Sequence, residues 1–93
     1  MTDLTKVRSE MIAEATAAQA RAADAHERAV LREKQARAQA VAALSGSYQD
    51  QRYASHNLTC RQRDANATRS TLERAQINLS ALSVQSGSSN HRR

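Results

Sequence analysis

From Leu4 to Ala43 the apolar residues recur at steps of three, four or seven, and most of them are alanine. Leu4, Val7, Met11, Ala15, Ala18, Ala22, Ala25, Ala29, Ala36, Ala40 and Ala43 form this list, with Glu33 at the one skipped place. At 100° per residue they share a stripe about 80° wide on a helix. Alanine also has the highest intrinsic helix propensity, so a long amphipathic helix is predicted over about 3–44. The steps sit closer to an eleven-residue repeat than to strict heptads, which predicts a nearly straight seam. Ile12, Val30 and Val41 form a sparser ridge about 90° round.

The helix is expected to stop at Leu44-Ser45-Gly46-Ser47. Gly46 suits the left-handed position that follows a helix. Ser47 reads as the next N-cap, with Asp50 three residues on completing a capping-box pair. A second helix follows over about 48–83. Its seam is Ala54, Leu58, Arg61, Ala65, Thr68, Leu72, Ala75, Leu79 and Leu82, a heptad repeat that is apolar at seven of nine places. Beyond it, residues 84–93 (VQSGSSNHRR) show no periodicity and read as a flexible basic tail.

The fold predicted is therefore all-α: an antiparallel two-helix hairpin over 1–83, alanine-rich and coiled-coil-like, with its turn at 45–47. Nineteen of its 37 apolar residues are alanine, fifteen are Leu, Ile, Val or Met, and Phe, Trp and Pro are absent. Burying so few large side chains does not offset the entropy of ordering 93 residues. The hairpin is expected to complete its core by oligomerising or by docking on a partner. Leu4, Val7, Met11, Leu58, Leu72, Leu79 and Leu82 carry the packing seam.

An antiparallel hairpin with this turn pairs positions whose numbers add to slightly over ninety. That places Glu33 near Arg61, the two charges that fall in the seams, and predicts an ion pair between them.

Charge divides unevenly. Residues 1–44 hold seven Lys/Arg and six acids, whereas 45–93 hold seven Arg and three acids, so four of the five net positive charges belong to the second arm and the tail together. Arg52, Arg63 and Arg74, spaced by eleven, return to one helix face with His56 among them, opposite the leucine seam. With Arg92 and Arg93 they are the candidate contacts for nucleic acid or an acidic surface.

Enzyme chemistry finds no support. The two glycines, Gly46 and Gly87, exclude both GxGxxG and the P-loop, and no HExxH exists. His56 and Cys60 lie one turn apart, but two ligands without a carboxylate on that face read as a bystander thiol and a surface histidine. No cofactor and no metal are expected. No run approaches a membrane span, and the N-terminus lacks the apolar core of a signal peptide, so a cytoplasmic location is expected.

The plan also resembles the WxG family of small secreted helical hairpins, in which a Trp-x-Gly turn separates two long helices. Here Leu44-Ser45-Gly46 stands at the turn, with Leu44 in place of the tryptophan. The family's secretion signal, a tyrosine followed four residues later by an acid, has no match, since Arg52 follows Tyr48 and Asn57 follows Tyr53. The resemblance implies an exported hairpin. The leading expectation is a non-enzymatic assembly or adaptor subunit, acting through helix packing with itself or within a larger complex. Nucleic-acid association is the alternative.

Overall fold

The computed structural model describes residues 4–91, with side chains for residues 4–84. Two helices account for nearly all of it: α1 (Leu4–Ala42) and α2 (Tyr48–His91). A 3-10 turn (Ala43–Ser45) ends the first, and the chain reverses at Gly46 and Ser47. The arms lie side by side as a hairpin measuring 70 × 27 × 13 Å. Its thin dimension is about one helix diameter, so the fold is a single layer.

The turn is built by side-chain capping. The Asp50 N–H donates to Ser47 Oγ (3.1 Å), and the Ser47 N–H donates back to Asp50 Oδ2 (3.4 Å), which is the expected reciprocal pair. Gln51 Nε2 donates to the carbonyls of Leu44 and Gly46 at 3.2 Å each, covering acceptors that α1 leaves open.

Gly46 itself is not left-handed, contrary to expectation. Its φ is −95° and ψ −169°, extended backbone that any residue adopts, because the 3-10 turn closes with Gly46 N–H on Ala43 O at 2.9 Å. What the glycine supplies is space. A Cβ there would stand 3.1 Å from Asp50 Oδ2 and 3.3 Å from Ala43 O. Its missing side chain lets the capping carboxylate fold back.

A second difference lies at the other end of α2. The backbone stays helical to His91 rather than ending at 83. Gly87 weakens a helix by about 1 kcal/mol but does not interrupt it, and no proline intervenes. Arg92 and Arg93 lie outside the described residues.

Cross-arm register is read from a hydrogen bond between side chains of the two helices, His26 Nδ1 to Thr68 Oγ1 at 3.0 Å. It aligns positions whose numbers add to 94. All nine α2 seam residues are buried or half-buried, as expected. Their partners in this register are Ile12, Ala15, Gln19, Ala22, His26, Ala29, Glu33, Ala36 and Ala40, also all buried or half-buried.

The α1 seam therefore differs from the predicted stripe. Its buried alanines, Ala15, Ala22, Ala29 and Ala36, repeat every seven residues. They stand level with Leu79, Leu72, Ala65 and Leu58. A small residue faces a large one in three of these four layers, and this lets the helices approach closely without a void. The layers between carry Gln19, His26 and Glu33, polar residues that an apolar count passes over.

Leu4, Val7 and Met11 are the other correction. They are 76%, 43% and 50% exposed, so they do not form a buried part of the seam.

Candidate functional site

The predicted site residues divide by where the two helices place them.

Arg52, His56, Arg63 and Arg74 are all exposed on α2, facing away from α1. Their local engagements differ. The Arg52 guanidinium lies over the Tyr48 ring, 5.8 Å from its centroid, a cation–π distance. His56 Nε2 lies 3.7 Å from Cys60 Sγ, one turn on. Arg74 Nε reaches its own helix at Ser70 O, 3.5 Å away. Arg63 makes no hydrogen bond or ion pair and is the most available cation of the four.

The Glu33–Arg61 pair is not formed, although the register brings both residues to the same layer. Glu33 accepts from Arg37 Nη2 at 2.5 Å, and Arg61 Nη1 lies 3.6 Å from Asp64 Oδ2. The reason is geometric. Partners three or four residues along the same helix are met without crossing the seam, and the Arg61 side chain is 39% exposed, so neither charge is forced inward. Both escape sideways from the interface.

His26 is the functional-looking group that pattern reading did not single out. Thr68 Oγ1 lies 3.0 Å from both Ala65 O and His26 Nδ1. Its one hydrogen can serve either, so the imidazole carries its proton on Nδ1 when the hydroxyl donates to Ala65 O, and on Nε2 when it donates to Nδ1. The signal available beforehand was its place seven residues from both Gln19 and Glu33.

Among the described residues, no group of three or more His, Cys, Asp or Glu is arranged to hold a metal ion. No described helix is long and apolar enough to cross a membrane.

At the end remote from the turn, an open groove of about 290 Å³ lies between the arms, lined by Met11, Glu14, Ala15, Ala18 and Asn78. Exposed large apolar residues also stand at the turn end: Val41, Leu44, Tyr48 and Tyr53. No known protein family, curated protein or solved structure matches the chain.

Proposed function

We propose that this chain is a non-enzymatic assembly or adaptor subunit, a helical hairpin that works by packing its faces against other helices. The observation that carries the reading is surface. The chain exposes 7208 Å², whereas a compact protein of 10.2 kDa exposes about 5,300 Å². Its fully inward positions are all alanine, and eleven large hydrophobic residues are exposed. A single layer of two helices has one internal interface, and stable all-α domains bury more than that.

Native mass measurement of the chain, purified alone and recovered from its source, tests the reading. A mass above one chain in either sample supports it. A bare monomer in both samples, melting at one temperature whatever its concentration, sinks it.

The exposed Arg52–His56–Arg63–Arg74 line favours a second reading, contact with a phosphate-bearing or acidic surface. Retention on DNA or RNA that falls steeply with salt, and falls again in Arg63→Gln, is its test.

A further inference from the structure

The apolar stripe of α1 does not follow the seam it was read as forming. The seam positions are Ile12, Ala15, Gln19 and their heptad successors. Leu4, Val7 and Met11 lie on the flank beside that line, as do Glu14 and Ala18, each one residue before a seam position. This is the flank on which the open groove lies, since Met11, Glu14 and Ala18 line it together with Asn78 of α2. Of the large side chains that α1 offers at this end, Ile12 enters the seam, whereas Leu4, Val7 and Met11 lie beside it and stay 76%, 43% and 50% exposed.

We propose that this flank at the open end is where a second copy of the chain docks, burying Leu4, Val7 and Met11 of both copies about a two-fold axis. The inference rests on the assembly reading and names its partner. Charge favours a second copy. Between residues 4 and 18 of α1 and residues 72 and 84 of α2 there are three bases (Lys6, Arg8, Arg74) and three acids (Glu10, Glu14, Glu73), and adding residues 1–3 and 85–93 brings in Asp3, Arg92 and Arg93, for a net charge of +1. The body between, residues 19–71, carries nine bases and five acids, net +4. Two copies repel more strongly along their bodies than at this end.

Area points the same way. The surface excess of about 1,900 Å² per chain exceeds the roughly 800 Å² that each partner gives to a standard interface. A two-fold interface uses the same patch twice, so one apolar flank suffices to make it. An acidic protein partner would instead be drawn to the +4 body.

The test is sedimentation and native mass of the full chain beside three variants. Wild type is expected at twice 10.2 kDa at micromolar concentration. Met11→Glu and Val7→Glu, at exposed positions that leave helicity intact by circular dichroism, should weaken the dimer at least about tenfold. Leu44→Glu, at the turn end, should leave it unchanged. Independently, Met11→Cys in a Cys60→Ser background should give a disulfide-linked dimer under mild oxidation, and Leu44→Cys in that background should not.

Dissociation by Leu44→Glu with persistence in Met11→Glu overturns this proposal and leaves the assembly reading standing. So does a chain that is monomeric alone yet recovered from its source in a larger complex. A monomer under both conditions overturns both.

Discussion

The half of the hairpin near the turn and the half near its open end obey the same heptad arithmetic with different residues, and they pack differently. In the layers of the turn half, Ala29 and Ala36 are 3% and 2% exposed and Ala65, level with Ala29, is 2% exposed, while Ala54, next to the turn itself, is 8% exposed. Towards the open end, Ala22 and Ala15 rise to 8% and 6%, and the groove opens beside Met11. Alanine facing alanine or leucine brings two helices together. Leu4, Val7 and Met11, displaced by one position from the seam, stay exposed. Closeness in this fold comes from lacking side chain on α1.

The sharpest way to break that contrast is to add the same bulk to both halves. Ala29→Leu forces three extra heavy atoms into the tightest layer and should cost about 1–3 kcal/mol, lowering the melting temperature by several degrees at fixed protein concentration. Ala18→Leu adds the same atoms to the wall of the groove and should be neutral or stabilise by up to about 1 kcal/mol. Equal losses at the two sites would show that the halves are packed alike.

The turn comes next. Ser47→Ala removes the oxygen that accepts from the Asp50 N–H and should cost about 1 kcal/mol by chemical denaturation. Thr68→Val deletes the cross-arm hydroxyl while keeping the shape, and should cost about 0.5–1.5 kcal/mol. In the parent chain, nitrogen chemical shifts read the direction of this bond: a proton on His26 Nδ1 means that Thr68 Oγ1 accepts, and a proton on Nε2 alone means that it donates.

The smallest effect concerns Glu33 and Arg61. Because each ion pair stays on its own helix, a double-mutant cycle of Glu33→Gln with Arg61→Gln should give a coupling within about 0.3–0.5 kcal/mol of zero. A coupling above 1 kcal/mol would mean that the charges meet across the seam in solution.

The seam of the second arm was legible residue by residue, because its inward positions are mostly apolar and repeat at strict heptad steps, whereas its end was placed at 83 and the helix runs to His91. The capping box was legible for a similar reason: Ser47 and Asp50 have one obvious use at that spacing. The first arm was half legible. Alanine is common on both its faces, so Ala18 and Ala25 read as seam members although the seam runs through Gln19 and His26. Only the register across the arms separates those pairs, and register is not a property of one helix. Gly46 was placed correctly at the turn but for a conformation it does not adopt, since its role depends on where the Asp50 carboxylate returns. The Glu33–Arg61 alignment followed from counting. Which neighbour each charge prefers depends on reach, and Arg37 and Asp64 were nearer.

One consequence of the alanine column remains. Ala15, Ala22, Ala29, Ala36 and Ala43 are identical under a shift of seven residues, like a ruler whose divisions carry no numerals. Slid by one heptad, most of the column meets the opposing arm just as before. The covalent turn and the single His26–Thr68 contact are what number the divisions. Cut between Ser45 and Ser47 into two peptides, the arms should still find each other, but in several staggered alignments, and Thr68→Val should blur the alignment further. The loop thus stores positional information that the alanine column itself does not contain.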